Sequence, residues 1–247
     1  MVSYSFDIFE RRKKNIMLKI ENTEVTGWEH AIRGMRNPMN SWDKSDSNFF
    51  DDSEGHVCNI CQGRGSMSLI EIGPNDYTLM KNLRNAGTDH RKFMRMITVY
   101  LDITAPLYWW KEFDTYKVGT VANSCSTMHK IHAKEFTLED FSCEHLTAES
   151  IAFGLEPIID ILNKNRELYL QWKNIDEEKK TLWWQMIQLL PTSYNQKRTV
   201  MLNYEVLANI YKSRRNHKLD EWHTFCDWIE ELPYSELITG QFVEEKG

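Results

Sequence analysis

Long apolar runs are missing from this sequence: no stretch of its 247 residues approaches the roughly 18–20 that a membrane-spanning helix needs. The N-terminus has no apolar core of the secretory type. Cysteine is scarce, five in all, and odd in number without framework spacing, so reduced thiols are expected rather than a disulfide scaffold. Together these absences predict a cytoplasmic protein, of a bacterium or of a bacterium occupied by a virus. Positive charge is also in deficit. The formal net charge of −6 argues against general nucleic-acid binding, because non-specific affinity for DNA needs a net basic face. The clusters Arg11-Arg12-Lys13-Lys14 and Arg214-Arg215 are still dense enough to meet a single phosphate. Internal repeats and low-complexity tracts are absent.

What is present describes a folded globular chain: hydrophobic residues make up 41% and aromatics 12%, with nine tryptophans. This length buries one good core, and the reading is a single domain over 16–240 behind a charged extension, 1–15. Cys58-x-x-Cys61, with His56 before it and Gly63 and Gly65 after it, is half of a zinc-knuckle pattern. A structural zinc wants four ligands, and Cys125, Cys143 and Cys226 are scattered singly. The expectation is a glycine-rich surface loop and no metal.

Along the chain, Ile16–Ile20 alternates as a short strand, and Gly27–Met35 reads as a helix stopped by Asn37-Pro38. Residues 39–74 are polar and read as a long loop or insertion. Asp76–Ala86 is helical by the spacing of Leu79, Met80 and Leu83, with Gly87 in C-cap position. Arg95–Ile103 alternates Ile97, Val99, Leu101 and Ile103 with polar residues, the pattern of a strand with one buried face. Leu138–Cys143 and Ala148–Gly154 are ambiguous. Helices are predicted over Pro157–Ile175, with Ile158, Ile161, Leu162, Leu168 and Tyr169 on or near one face, and over Asp176–Leu190. The Trp183-Trp184 pair of the second is assigned to packing. A further helix, Tyr204–Tyr211, runs into Arg214-Arg215.

The chain is organised around Pro106–Lys130. An aromatic run leads into Lys111, Glu112, Asp114, Tyr116 and Lys117, and then into Gly119, Thr120, Asn123, Ser124, Cys125, Ser126 and Thr127. Short polar side chains beside lysines can hold an anion through several donors at once. Glycine lets a flat ligand approach the backbone. A polar loop leaving a buried aromatic segment is the blander alternative.

This stretch resembles the signature of the flavin-dependent thymidylate synthase family: Arg-His-Arg, two residues, Ser, one residue, Asn, two residues, Ser, one residue, Arg. Asn123 and Ser126 keep the Asn-to-Ser spacing, and Pro106 precedes Lys111-Glu112 as a Pro precedes the family's Arg-Gln pair. Thr115, Tyr116 and Lys117 fall on the Arg-His-Arg triplet and Thr120 on the first Ser, with one residue inserted before Asn123. The final Arg falls on Met128, beside His129 and Lys130. Three further landmarks follow in order. Trp28-Glu29-His30-Ala31 occupies the slot of an early helix. Gly87–Phe93, with His90, Arg91 and Lys92 inside it, sits where the family has a flavin-contacting loop, a solvated charged turn being the alternative. Leu190-Pro191 and Leu202-Asn203 match a Leu-Pro that ends one helix and an Asn that opens the next. Arg214 fits the family's spacing from Asn203, and Arg215 fits the spacing to Trp222. Where the family has an Arg shortly after that Asn, this chain has Glu205, and upstream Arg198 is the candidate substitute.

The resemblance implies an α+β fold, an antiparallel sheet packed with long helices, of the thymidylate synthase-complementing-protein type, assembled as a homotetramer. It implies a methyltransferase reaction, the reductive methylation of dUMP to dTMP, with the carbon from methylenetetrahydrofolate and the hydride from FAD reduced by NADPH. Family chemistry uses the flavin, not a cysteine, to deliver the carbon, so Cys125 need not be a nucleophile. Carried over by position, Arg215, Ser126 and Asn203 are the catalytic candidates. His90, Arg91, Lys117, Thr120 and Asn123 would face the flavin. Lys111, Glu112, Ser126, His129, Lys130, Arg214 and Arg215 would hold the nucleotide. Thr115 and Tyr116 at the diagnostic triplet leave two alternatives open: a related, phage-type enzyme altering a pyrimidine nucleotide at C5, such as a hydroxymethylase, and a non-catalytic nucleotide-binding or interaction protein.

Overall fold

The computed structural model describes residues 18–50, 69–174 and 176–242. The residues 1–15 extension, Cys58 and Cys61 lie outside them. A four-stranded antiparallel sheet is built from β1 (Lys19–Thr26), β4 (Thr98–Pro106), β5 (Val121–Ser124) and β6 (Asn195–Asn203), in the order β1-β4-β6-β5. Helices and sheet together make the chain α+β, as expected.

β4 forms where its alternation says it should: Val99, Leu101, Ile103 and Ala105 are buried, while Tyr100 and Asp102 lie on the other face. On that face Asp102 Oδ1 accepts from Thr199 Oγ1 at 2.6 Å and Oδ2 from Asn22 Nδ2 at 2.9 Å, so one carboxylate of a central strand ties both neighbours. The strand starts at Thr98 rather than Arg95, because Arg91–Arg95 winds as a 3₁₀ turn that buries Phe93 and Met94. β1 runs later than Ile16–Ile20; as an edge strand it tolerates the polar Glu21-Asn22-Thr23-Glu24, which hides its alternation.

The chain divides into two compact units; four of the five boundaries fall within strands and the one after Asp114 in a 3₁₀ turn. One contains Ile20–Ile103, Thr115–Asn123 and the chain from Thr199 onward. In it α1 (Trp28–Arg36) follows β1, as predicted, and α2 (Pro74–Asn85) ends before Gly87, which takes the left-handed conformation (φ 110°) of a helix stop. The expected loop over 39–74 holds a short antiparallel hairpin, β2 (Asn48–Phe50) with β3 (Leu69–Glu71). Its root is pinned by the buried pair Arg36–Asp76, whose Nε and Oδ1 are 2.6 Å apart. Asp76 Oδ2 also accepts from the hydroxyls of Ser45 and Ser47 and from two backbone N–H groups. Burial alone would raise the Asp76 pKa, but the hydrogen bonds from Ser47, Ser45 and Arg36 outweigh it and hold the carboxyl below its ordinary value. After β6 come α7 (Tyr204–Arg214), α8 (Asp220–Glu230) and the short α9 (Glu236–Thr239).

The other unit contains Thr104–Asp114 and Ser124–Arg198. The aromatic run becomes α3 (Leu107–Phe113), which buries Trp109, Trp110 and Phe113, Trp109 stacking on Phe113 at 5.1 Å. A short turn of helix, α4 (Ala148–Ser150), opens into a π-type turn and then α5 (Glu156–Gln171); α6 (Glu177–Leu189) packs back on α5. α5 stops at Gln171, not Ile175, because Trp172 is extended. Its core face is Ile159 and Leu162, in register with Leu155, whereas Ile161 is 47% and Leu168 41% exposed. Trp184 is likewise 41% exposed rather than core, and Trp183 donates its ring N–H to the Met128 carbonyl at 2.8 Å.

Candidate functional site

The candidate side chains form two groups, one in each unit. In the first, α7 supplies both ends. Asn203 caps it, its Oδ1 accepting from the Val206 N–H at 3.0 Å, which satisfies one of the donors a helix start leaves open. Gly119 lies against this cap with φ 82°; a Cβ there would come within 3.1 Å of Asn203 Nδ2 and of Val206 Cγ2. Glycine is thus required twice over, by conformation and by approach. The next residue, Thr120, has a buried Oγ1 with no hydrogen-bond partner, an unsatisfied group of the kind that usually has an explanation.

At the far end of α7, Arg214 Nε donates to the Tyr116 hydroxyl at 2.9 Å. Its guanidinium lies 4.9 Å from the Trp222 ring centre and 5.7 Å from that of Tyr116, and the two rings meet edge-on. Aromatic faces and a phenol oxygen therefore fix the plane of the fork. Arg215 turns away: Nη1 pairs with Asp227 at 2.7 Å and Nη2 with Glu230 at 3.4 Å. The bond to Asp227 raises the Arg215 pKa, and burial and then the bond to Glu230 push Tyr211 up to about 12. Sequence spacing left the two arginines equivalent; the structure places Arg214 beside Tyr116 and Trp222 and Arg215 among carboxylates.

Arg91 is also engaged. Its Nε lies 2.9 Å from Glu205 Oε2, and its Nη2 donates to Asn209 Oδ1 at 3.2 Å. Glu205 and Asn209 are one turn apart on α7 and present one face to it. The residue that departs from the family pattern is thus the partner of one expected to hold cofactor. Arg198, the candidate substitute, belongs to the other unit and pairs there with Asp114 at 2.8 Å. His90 and Lys117 are exposed, and Asn123 lies exposed on edge strand β5.

The second group surrounds Ser126. Ser126 Oγ accepts from the N–H groups of Met128 and His129 at 3.2 and 2.9 Å, which leaves its own O–H to donate elsewhere. The loop is fastened by Trp183 on the Met128 carbonyl and by Arg166 Nε on the His132 carbonyl at 3.0 Å. Burial, and then Lys130, Lys179 and Arg166, hold the His132 pKa below its ordinary value. His129 and Lys130 are exposed, as is Lys111 on the last turn of α3, with Glu112 half-buried beside it. Among the described residues no cluster of His, Cys, Asp and Glu could hold a metal ion, and no helix is long and apolar enough to cross a membrane.

Tyr116 was legible only as a misfit to the Arg-His-Arg triplet, yet it is the residue that orients Arg214. No signal in the sequence marks it for that role, because the pairing spans two segments far apart in the chain.

No protein-family profile matches the sequence, and no curated protein does. Solved structures do match. Flavin-dependent thymidylate synthase ThyX from Helicobacter pylori, complexed with FAD and dUMP, superimposes with a TM-score of 0.60 at 14% identity, over 90% of this chain and 98% of that one. A second structure of the same enzyme with FAD and dUMP gives 0.58 at 15% identity, over the same shares. The UMP/dUMP methylase PolB from Streptomyces cacaoi, bound with 5-Br dUMP, gives 0.52 at 10% identity, over 90% of this chain and 95% of that one. The fold is that of the flavin-dependent thymidylate synthases and of this methylase.

Proposed function

We propose that the chain acts on dUMP or a close pyrimidine deoxynucleotide, as an FAD-dependent thymidylate synthase that takes its carbon from methylenetetrahydrofolate and its electrons from NADPH. The observation that carries the reading is Arg214, its fork fixed by Tyr116 and Trp222 at one end of α7, with the buried, unpartnered Thr120 hydroxyl following the glycine packed on the cap at the other end. The two solved enzymes of this fold bound to dUMP or its bromo analogue support the choice of substrate.

The residues fit a flavin in one place and not in another. Thr120 offers a donor that no protein group uses, and the exposed Lys117 stands three residues before it in the same turn; these are the residues that would hold it. Arg91, by contrast, is neutralised by Glu205. When bound, the flavin would supply the hydride and carry the one-carbon unit. Arg214 would present its fork to a pyrimidine carbonyl or a phosphate. Ser126 would donate its free O–H to a nucleotide oxygen, with Lys130 and His129 adding donors, and Lys111 and Glu112 bordering the nucleotide. Asn203, rigid as a helix cap, would hold the Gly119-Thr120 turn and border the ring of the pyrimidine. The assembly would be a cytoplasmic homotetramer.

A second reading is favoured by Arg91–Glu205: an enzyme that alters the nucleotide at C5, such as a hydroxymethylase, with a reduced flavin cradle. An absorbance spectrum of the pure protein, repeated with FAD and then dUMP, separates these. A flavin band near about 450 nm that shifts with dUMP, followed by turnover with folate, supports the synthase. Binding of dUMP without flavin supports the second reading or a silent nucleotide binder. Binding of neither sinks both.

A further inference from the structure

The chain leaves one compact unit after Asp114 and re-enters it at Ser124; between them runs the 115–123 segment that bears Tyr116, Lys117, Gly119, Thr120 and Asn123. Within that unit the two feet of the segment are joined by a relay of side chains. Arg198 Nη1 donates to Asp114 Oδ1 at 2.8 Å. Arg198 Nε donates to Gln196 Oε1 at 3.0 Å. Gln196 Nε2 then donates to the Cys125 carbonyl at 2.8 Å. The backbone doubles the last link, because the Cys125 N–H donates to the Lys197 carbonyl at 2.9 Å.

Arg198 is well suited to the centre of this relay. Its guanidinium lies 4.2 Å from the ring centre of the fully buried Trp110, and Trp110 in turn donates its indole N–H to the Gln196 carbonyl at 2.9 Å. An exposed ion pair to Asp114 alone would be loosely held. Here the ring fixes the plane of the fork, so its two edges point at fixed partners without further ordering. The Arg198 side chain is 15% exposed and Gln196 is buried, whereas Asp114 is half-exposed.

We infer that Arg198 is a positioning residue: through Asp114 and through Gln196 it clamps both feet of the 115–123 segment and so sets that segment's readiness to bind ligand. The link to ligand rests on the functional reading above; the clamp itself does not. Closing the base of the segment adds to the hold of β5 and of the Tyr116 and Gly119 contacts, and removes conformational freedom that binding would otherwise have to remove.

Hydrogen exchange of the full-length protein, followed in peptides covering 115–124 and 98–103, tests the clamp. In Arg198→Met, exchange over 115–124 is expected to quicken by about ten- to hundredfold, the equivalent of one charge-assisted hydrogen bond, while 98–103 keeps its wild-type protection. Arg198→Lys should resemble Arg198→Met, since an ammonium cannot serve both partners in one plane. Asp114→Asn, at a half-exposed position that folding tolerates, should quicken the segment several-fold. Unchanged exchange over 115–124 in all three variants overturns the clamp, and so does an equal loss of protection in both peptides. A parallel dUMP titration keeps the two ideas apart. Wild-type protein that binds no dUMP while the exchange result holds ends the functional reading and leaves the clamp. Wild-type protein that binds dUMP while Arg198→Met exchanges as wild type ends the clamp alone.

Discussion

Arg91 and Glu205 are partners: the guanidinium Nε stands 2.9 Å from the carboxylate Oε2, with the two side chains only 15% and 8% exposed. A carboxylate so covered needs its cation, because an unpaired charge in that position is costly. With Nε on Glu205 and Nη2 on Asn209, Arg91 has two of its donors committed and its charge offset, which weakens its pull on a ligand phosphate. Replacing Glu205 by Gln is expected to cost about 1–3 kcal/mol of stability, from a lost charge-assisted bond, and at the same time to release Arg91. Urea unfolding reads the first effect. A flavin titration reads the second, with tighter FAD binding in Glu205→Gln than in wild type as the expected result.

The two adjacent arginines should separate cleanly. Arg214→Lys keeps the charge but loses the planar fork set by Tyr116 and Trp222, and dUMP affinity should fall about ten- to hundredfold by calorimetry. Arg215→Lys disturbs only its pairs with Asp227 and Glu230 on a partly exposed face, a change of under about 1 kcal/mol in stability. Equal losses of affinity in the two variants would remove Arg214 from its proposed place.

Asp76 makes the fold acid-sensitive. Its folded-state pKa is held below the unfolded value, so in the window between them the unfolded chain binds more protons and stability rises with pH. The contribution is complete above the ordinary carboxylate value of about 4 and is lost as pH falls through the folded value. Asp76→Asn should lack this dependence and be less stable at neutral pH by about 3–5 kcal/mol, since it leaves buried Arg36 without its counter-charge. Thermal melts of both proteins from neutral pH downward would show converging curves.

Gly119→Ala meets two obstacles, a left-handed backbone and Asn203 Nδ2 at 3.1 Å. The expected cost is about 1–2 kcal/mol, with the Thr120 turn displaced from α7. Weaker dUMP or flavin binding out of proportion to the change in Tm is the signature to look for.

The sequence made β4, α1 and α2 legible because each carries an unbroken period and a clear stop, Gly87 being one of the stops. β5 and β6 were not legible. Val121–Ser124 is exposed at every position, and in β6 Gln196 and Arg198 spend their side chains on hydrogen bonds and an ion pair rather than on an apolar face. On α5 the expected Leu162 is core and Ile158 and Tyr169 pack against it, but Ile161 and Leu168 are exposed and Ile159 is buried, because several apolar residues crowd the helix and packing beside Phe136, Phe141 and Met186 selects among them. At the candidate site, Asn203 was readable from its capping position. The choice of Arg214 over Arg215 depends on which way a helix end faces, and the role of Tyr116 on a contact between distant segments; neither is written in local sequence.

α7 holds Asn203 at one end and Arg214 at the other, roughly 16 Å apart at 1.5 Å per residue. That interval is fixed by the number of residues, not by their identities. One residue inserted between them would swing Arg214 about 100° off Tyr116, whereas substitutions on the outer face of the helix leave the interval untouched. Deletions and insertions should therefore be far scarcer than exchanges along this helix in any relative that keeps the arrangement.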